Sequence, residues 1–181
     1  DDAFARARQD DTVDPLSDYD VIVAVRDVDS FAAGYGWETA IGLPLARWGD
    51  ESALFGERTV FRGVVYDGGV KVDFTFWPEA LLDRVADAPE LPDCLDVGYR
   101  VVLDKDERMA GWARPTYRAH IPSPPTRDEY QAQVEEFWWA MTYAAKALWR
   151  GEVVFAKFVV DYDAKLGPLR RFLEWRIEIE H

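Results

Sequence analysis

Two aspartates one residue apart, Asp18 and Asp20, stand directly before a run of branched apolar residues at 21–25. On an extended backbone, side chains two positions apart leave the same side, so both carboxylates would share one face at the start of a strand. Asp73 would lie on the polar face of a second strand. If the two strands are neighbours, three carboxylates converge, and this set suits a pair of Mg²⁺ ions completed by water and substrate phosphates. Such a site activates an attacking hydroxyl and stabilises a leaving pyrophosphate.

The same acidic spacing recurs elsewhere, so the spacing alone does not identify a site. The other copies are Asp27/Asp29, Asp104/Asp106 and Asp161/Asp163. For any one copy, a solvated pair is the default interpretation. Asp18/Asp20 differs because a turn precedes it, an apolar strand follows it and Asp73 offers a third carboxylate. Acids followed by a strand are typical of nucleotidyltransferases, whereas haloacid-dehalogenase-type phosphatases and many sugar-nucleotide glycosyltransferases have the strand first.

The composition permits a sizeable core and argues against nucleic-acid binding. Of 181 residues, 49% are apolar, enough for one large domain or a domain with a smaller neighbour. The formal charge of −13 repels phosphate backbones and anionic lipid and attracts a polycationic small molecule; alternatively, the acids only keep the protein soluble. The sequence has no membrane-length apolar run, no leader and one cysteine, Cys94. We therefore expect a cytoplasmic monomer without membrane or nucleic-acid partners.

The strands that would position the carboxylates can be traced in the first part of the chain. Residues 58–78 predict a β-hairpin, because two β-rich runs flank Asp67-Gly68-Gly69, which tolerate the positive φ of a tight turn. A further short strand is predicted at 99–103, and residues 30–49 are expected to be helical in part. The chain is thus strand-rich up to about residue 118 and helical afterwards, an α+β organisation.

The second part of the chain carries helical signals. Three prolines within residues 119–127 predict a linker that leads into a helix, with Thr126 as its N-cap. Residues 127–163 predict either one long helix or two helices broken near Gly151. Another helix is predicted after Pro168.

If the long helix continues through Gly151, a helical wheel separates a mixed polar and aromatic face from an apolar stripe. The mixed face comprises Glu136, Trp139, Tyr143, Lys146, Arg150 and Lys157. The stripe, predicted to be core, comprises Phe137, Met141, Ala144, Ala145 and Leu148. The mixed face is either a solvated surface or a ligand-binding surface. As a ligand-binding surface, its lysines would contact a triphosphate, its glutamates would contact an ammonium group, and its aromatic rings would stack on an adenine or a sugar. The candidates are Lys146 and Lys157, Glu135 and Glu136, and Trp139 and Tyr143.

Several stretches from about Arg6 to the C-terminus share one family pattern. They are SDYDVIVAV, FGERTV, GGVKVDFTFWP, VVLDKD, PPTRDEY, and EEFWWAMTYAAKALWRGEVVFAK with RFLEWRIEI. These stretches resemble the streptomycin (aminoglycoside 6-) adenylyltransferases of the DNA polymerase β-like nucleotidyltransferase superfamily. The resemblance implies a nucleotidyltransferase-type mixed sheet with flanking helices at residues 1–118. It also implies a helical-bundle, substrate-binding domain at residues 119–181 that is incomplete at its C-terminus.

The resemblance further implies a reaction and its cofactors. ATP would be the co-substrate, two Mg²⁺ ions would be bound, and AMP would pass to a hydroxyl of a streptomycin-like aminoglycoside with release of pyrophosphate, which is a form of antibiotic modification. By motif match, Asp18 and Asp20 would be metal ligands. Asp73 would be the third carboxylate, as a metal ligand or a general base.

The N-terminal sequence departs from the family pattern where the nucleotide's phosphates are held. Family members carry Gly-Ser-Arg before the acidic pair, but Phe4-Ala5 precedes Arg6 here. Either the protein is a homologue with impaired phosphate binding, which holds a nucleotide or a cationic ligand without transfer, or part of the loop is missing from the sequence. We favour the second interpretation, because residues 6–20 follow as such a loop would continue. Arg6 and Ser17 are then candidates for nucleotide binding.

Overall fold

Four strands form one mixed sheet in the computed structural model, which describes residues 17–180. The strands are β1 (Tyr19–Val25), β2 (Pro44–Leu54), β3 (Glu57–Tyr66) and β4 (Lys71–Pro78). Their order in the sheet is β1-β4-β3-β2, with β1 parallel to β4 and the other pairs antiparallel. The described residues divide into two units between His120 and Ile121, and the sheet belongs to the first. The predicted α+β organisation is confirmed.

The predicted hairpin forms the centre of the sheet. β3 and β4 pair as antiparallel neighbours across a turn in which Gly68 and Gly69 have φ of 89° and 83°. These positive φ values favour glycine, which has no Cβ to clash with the backbone. In β4, Val72, Phe74 and Phe76 are buried on one face, as the alternation predicts.

The strand after the acidic pair forms as predicted, but it is not fully buried. Val21 is 37% exposed, and residues 22–25 are half-buried. The reason is topological: among the strands of residues 17–180, β1 is at an edge of the sheet and pairs with β4 alone. An apolar run of this length does not distinguish a central strand from an edge strand.

The strand β2 was not predicted from the sequence, and the strand predicted at residues 99–103 is wrong. β2 pairs with β3 along nearly its whole length. Most side chains of β2 are exposed on both faces, and an exposed strand does not need the alternating apolar pattern by which strands are recognised in a sequence. Residues 99–103 are irregular rather than extended. Their branched residues suggested a strand, but the Tyr99 ring packs against Trp112, with 5.6 Å between ring centroids, and Val102 and Leu103 are exposed.

Each face of the sheet has its own apolar cluster. On one face, helix α1 (Asp29–Ala32) and a 3₁₀ turn (Trp37–Ala40) cover the buried residues of β3 and β4, and the Phe31 ring stacks on Phe76 at 4.0 Å. On the other face, helices α2 (Ala80–Asp87) and α3 (Asp93–Asp96) pack around Trp77, and Ile22 of β1 joins this cluster. Neither Asp20 nor Asp73 belongs to the second cluster, although both lie on its face of the sheet.

The second unit, which starts at Ile121, is helical, and its first helix begins at the predicted N-cap. Helix α4 (Arg127–Trp149) starts with a capping box, in which Thr126 Oγ1 accepts from the Glu129 N–H and a Glu129 carboxylate oxygen accepts from the Thr126 N–H. The helix stops before Gly151, whose φ is 76°, so of the two alternatives the broken helix is confirmed. Helix α5 (Val153–Phe158) runs into a π-helical segment (Val159–Leu169) with non-helical backbone at Gly167. Helix α6 (Arg170–Glu180) ends the described chain.

Small residues build the contact inside the helical unit. Ala140, Ala144 and Ala147 of α4 are buried, and Ala140 and Ala144 form one cluster with Val159 and Ala164. The predicted stripe is therefore partly wrong: Phe137, Met141 and Ala144 lie on it, but Ala145 and Leu148 are exposed. Alanine permits close approach of the helix backbones, so the contacting face follows the alanines rather than the largest apolar residues. None of the helices within residues 17–180 has the length and hydropathy of a membrane span.

Candidate active site

The parallel pairing of β1 and β4 places Asp20 directly opposite Asp73. Neighbouring residues in register project from the same face of a sheet, so the two carboxylates share one face. Asp18 lies two residues before Asp20 and belongs to the same side. A slip of one residue in this pairing would turn Asp73 to the opposite face. The register of β1 on β4 therefore places the three predicted carboxylates on the same side of the sheet.

A lysine that the sequence interpretation did not include lies between two of these acids. Lys71 Nζ donates to Asp18 Oδ2 and to Asp73 Oδ2, each at 2.7 Å. These hydrogen bonds, first to Asp18 and then to Asp73, raise the pKa of Lys71 above its ordinary value. Lys71 thus carries an ammonium group at neutral pH, held by both carboxylates.

The second oxygen of Asp73 is buried and, within the described part of the chain, has no hydrogen-bond partner. A buried acceptor without a partner is costly, and in native proteins it calls for an explanation such as a bound ion or a functional requirement. Space beside this oxygen is kept by Gly63, the β3 residue paired with Asp73. A Cβ at Gly63 would lie 3.0 Å from Asp73 Oδ1.

The electrostatics of Asp20 indicate a place for a cation. Partial loss of hydration, followed by repulsion from Asp73, raises the pKa of Asp20 above its ordinary value. Repulsion between neighbouring carboxylates is relieved when a cation binds between them. Carboxylate oxygens are also the ligands that Mg²⁺ prefers. The unpartnered Asp73 oxygen and the space at Gly63 are chemically compatible with a divalent cation at this place.

The geometry is not that of a completed metal centre. No group of three or more His, Cys, Asp or Glu side chains within residues 17–180 is gathered closely enough to hold a metal ion. The ammonium of Lys71 takes the position between Asp18 and Asp73. It therefore stands where the charge of a cation would be needed.

The other acidic pairs of the sequence each have a local structural explanation. Asp27 accepts from the Asp29 N–H and from Ser30 Oγ at the start of α1. The Asp104 carboxylate accepts from two backbone N–H groups, those of residues 108 and 109, at 3.1 and 2.9 Å. Asp161 pairs with the lysines one helical turn before and after it, Lys157 and then Lys165, which lower its pKa to about 2. In each of these three copies, at least one carboxylate is thus engaged by groups a few residues away along the chain.

The candidate nucleotide contacts ahead of the acidic pair are only partly within the described chain. Ser17 directly precedes Asp18 and is half-buried. Arg6 and the departure at Phe4-Ala5 lie outside the described residues. Both nucleotide-binding assignments remain predictions.

The candidates in the helical unit form a local cluster on α4. Lys146 Nζ lies 5.6 Å from the centroid of the Tyr143 ring, and this ring packs edge-on against Trp139 at 6.1 Å. Both aromatic side chains are exposed. Glu135 and Glu136 accept from the side chains of Gln131 and Gln133 on the same helix. Their contacts with ligands remain predictions.

Lys157 does not continue the α4 face, which corrects the helical-wheel arrangement. The helix break at Gly151 places Lys157 on α5, where its ammonium pairs with Asp161. A wheel extended through the break assumes a constant rotation per residue, and the positive φ of Gly151 ends that rotation.

Three features of the site were missed by the sequence interpretation. The alternation of this strand places Lys71 and Asp73 on one face, but the sequence interpretation gave Lys71 no role in the site. Gly63 interrupts a β-rich run, a sign that another group approaches the backbone closely. On the same sheet face, the exposed Trp48 ring packs edge-on against Phe61 at 5.3 Å. Trp48 carried no signal because β2 itself was not predicted.

The chain is similar in sequence to several known proteins. A sequence profile of the family described as streptomycin adenylyltransferase matches residues 4–181. The aminoglycoside 6-adenylyltransferase of Campylobacter jejuni is 28% identical over 172 residues, which cover 92% of this chain and 56% of that protein. The protein of the same name from Bacillus subtilis (strain 168) is 28% identical over 170 residues, which cover 91% of this chain and 57% of that protein.

A solved structure extends the comparison. The crystal structure of an aminoglycoside 6-adenyltransferase from Bacillus subtilis aligns with 97% of this chain and 65% of its own, at 23% sequence identity and a TM-score of 0.35. The chain spans a little over half the length of the curated relatives it matches. Because the family profile covers nearly every residue, the chain belongs to the streptomycin adenylyltransferase family.

Proposed function

We propose that this chain carries the nucleotidyltransferase site of an enzyme that transfers AMP from ATP to a hydroxyl of an aminoglycoside, with streptomycin-like compounds as the acceptor class. Family membership and the names of the relatives support the reaction type. The observation that carries the proposal is the register of Asp20 opposite Asp73 on parallel strands, beside a buried Asp73 oxygen that has no partner among residues 17–180.

Asp18, Asp20 and Asp73 are the residues that would hold Mg²⁺ in this proposal. When bound, Mg²⁺ supplies positive charge that lowers the barrier to attack on a phosphate and stabilises the leaving pyrophosphate. In the reaction, a bond forms between the acceptor oxygen and the α-phosphorus, and the bond from that phosphorus to pyrophosphate breaks. The carboxylates of Asp18 and Asp20 would supply oxygen ligands to this cation. Because Gly63 has no Cβ, the space next to Asp73 Oδ1 stays open.

Asp73 has two possible tasks, as a metal ligand and as a general base. Its Oδ2 accepts from Lys71 and its Oδ1 faces the space that a Cβ at Gly63 would enter. Oδ1 can therefore accept the proton of the attacking hydroxyl, if that hydroxyl enters this space.

The acceptor would be recognised by charge and by aromatic surface. An aminoglycoside carries several ammonium groups, and the chain has a formal charge of −13. We assign acceptor contacts to Glu135, Glu136, Trp139 and Tyr143, and phosphate contacts to Lys146 with Arg6 and Ser17. The helical unit would then act as a substrate-binding bundle. The acidic charge and single cysteine favour a cytoplasmic monomer without nucleic-acid partners.

The experiment is to incubate the full-length protein with ATP, Mg²⁺ and a panel of aminoglycosides and to measure pyrophosphate release. We expect release that depends on one class of acceptor, and AMP covalently attached to that acceptor in a mass spectrum. No release with any member of the panel would contradict the proposal. Nucleotide binding without release would favour the second candidate function, a homologue that binds nucleotide without transfer, which Phe4-Ala5 in place of Gly-Ser supports.

The matched variants Asp20→Asn and Asp163→Asn test whether the acidic pairs differ. Each removes one carboxylate charge without changing side-chain size. We expect Asp20→Asn to lower transfer by roughly 10²-fold or more, as loss of a catalytic group does, while Asp163→Asn leaves it unchanged. Equal losses in both variants would show that the site is not at Asp20.

A further inference from the structure

Lys71 is positioned to compete with a metal ion for its ligands. Its ammonium lies 2.7 Å from Asp18 Oδ2 and 2.7 Å from Asp73 Oδ2. One ammonium thus balances one of the two negative charges of this carboxylate pair, and Asp20, opposite Asp73, adds a third negative charge. A divalent cation would balance more of the charge, but it needs the oxygens that Lys71 occupies.

The lysine contact leaves the site incomplete. Asp73 Oδ1 still lacks a hydrogen-bond partner among the described residues, although Lys71 binds the other oxygen of the same carboxylate. The ammonium therefore binds Asp18 and Asp73 but does not satisfy every buried acceptor of these carboxylates.

The lysine can also leave this position without a change of the sheet. Its side chain is 41% exposed, so water is accessible to the displaced ammonium. A lysine has a flexible four-carbon stem and three donors, and it is a strong phosphate binder. The triphosphate of a nucleotide that binds at this face of β4 would bring negatively charged oxygens close to the Lys71 ammonium.

We propose that Lys71 is an internal counter-ion that excludes free divalent metal from Asp18 and Asp73 until a nucleotide draws its ammonium away. The inference rests on the proposed function, since it takes the site to bind a metal together with ATP. Free Mg²⁺ then binds weakly, and the metal enters with the nucleotide. Lys71 moves from the carboxylates to a phosphate as the metal takes their oxygens.

The test measures binding of Mn²⁺ to the full-length protein by electron paramagnetic resonance, with and without a non-hydrolysable ATP analogue. For the native protein we expect weak binding of Mn²⁺ alone and clearly tighter binding with the analogue. For Lys71→Met we expect Mn²⁺ alone to bind at least about tenfold more tightly, because one neighbouring unit charge changes such equilibria by roughly ten- to a thousandfold. The gain from the analogue should shrink in the same variant.

Two control variants and one substitute variant show whether the change in Mn²⁺ affinity comes from the charge at position 71. Lys71→Arg keeps the charge and should retain weak Mn²⁺ binding. Lys105→Met removes an exposed lysine elsewhere in the first unit and should change Mn²⁺ affinity little. Lys71→Gln keeps a hydrogen-bond donor, and it replaces Lys71→Met if repulsion between the carboxylates prevents folding, which circular dichroism would show.

Two results would overturn the inference: equal or weaker Mn²⁺ binding in the neutral variants at position 71, or no effect of the ATP analogue on Mn²⁺ binding to the native protein. Both readouts are independent of any acceptor. Failure of the proposed function, in which no aminoglycoside releases pyrophosphate, therefore remains distinguishable from failure of the inference about Lys71.

Discussion

Asp73 lies in an uncommon environment for a carboxylate. Its side chain is 15% exposed, one oxygen binds Lys71, and the other is buried without a partner among residues 17–180. An unsatisfied buried polar group costs roughly 1–3 kcal/mol. Natural proteins retain such costs mainly at functional sites. The arrangement therefore favours a site that is completed by a ligand over an ordinary salt bridge.

Gly63→Ala tests the space beside Asp73. The new Cβ would lie 3.0 Å from Asp73 Oδ1 and 3.3 Å from Phe61 Cε1, so one of these groups must move by a few tenths of an ångström. We expect AMP transfer and Mn²⁺ affinity to fall roughly tenfold, because small displacements of catalytic groups are costly. Stability should change by less than about 1 kcal/mol, since alanine suits a strand better than glycine.

Gly111→Ala is the matched control for this variant. A Cβ at Gly111 would meet no atom within 4 Å, and its φ lies outside the positive range that favours glycine. Transfer should therefore be unchanged. Unchanged transfer in Gly63→Ala as well would show that the space beside Asp73 Oδ1 is not used.

At the scale of elements, helix α4 depends on its first turn. Only small side chains of α4 are fully buried, so the local start signal contributes noticeably to its stability. The capping box of Thr126 and Glu129 satisfies backbone N–H groups that have no partner within the helix. Hydrogen bonding at one end and close packing of alanines on one face together hold this helix.

Thr126→Ala should destabilise the helical unit by about 1 kcal/mol, the usual cost of a lost N-cap. Thermal unfolding followed by circular dichroism at 222 nm, a standard helix wavelength, would measure the effect. Thr142→Ala is the comparison, because Thr142 is exposed in the helix interior and its hydroxyl only donates to the Trp139 carbonyl. Alanine is the better helix former there, so equal destabilisation in both variants would contradict the assignment of the cap.

At the scale of the whole molecule, acidic residues outnumber basic ones. One acidic side chain, that of Asp96, is buried in the first unit and stabilises it through hydrogen bonds. Asp96 of α3 is buried and accepts from the Thr116 N–H at 2.6 Å and the Thr116 hydroxyl at 2.7 Å. It also accepts from the N–H groups of Arg118 and Ala119. These bonds, led by the Thr116 hydroxyl, lower the pKa of Asp96. Asp96 therefore ties the end of the first unit to α3.

Asp96→Asn should lower the melting temperature at neutral pH by several degrees. Because the folded-state pKa of Asp96 is lowered, its stabilisation is present above the unfolded pKa of about 4 and is lost as the pH falls through the folded value. The difference in melting temperature between the native protein and the variant should therefore shrink below about pH 4. Asp93→Asn, at an exposed neighbour on α3, should change the melting temperature little at neutral pH. A constant difference for Asp96→Asn would contradict this explanation.

Much of the fold and part of the site could be predicted because their signals are local. The hairpin follows from alternation around Asp67-Gly68-Gly69, the start of α4 from Thr126 and Glu129, and the helix break from Gly151. Each involves residues that meet within a few positions along the chain. Family membership was also readable, since it rests on short stretches of sequence.

The sequence by itself determined the acidic pair, the strand after it and Asp73 as a candidate third carboxylate on a second strand. Only the tertiary structure decided that β1 lies parallel to β4 with Asp20 opposite Asp73, that β2 joins the sheet, and that Lys71 binds Asp18. Lys71 and Asp18 are 53 residues apart. Contacts at such separations depend on which edges and faces remain for pairing once the local elements have formed, and no pattern along the chain encodes that choice.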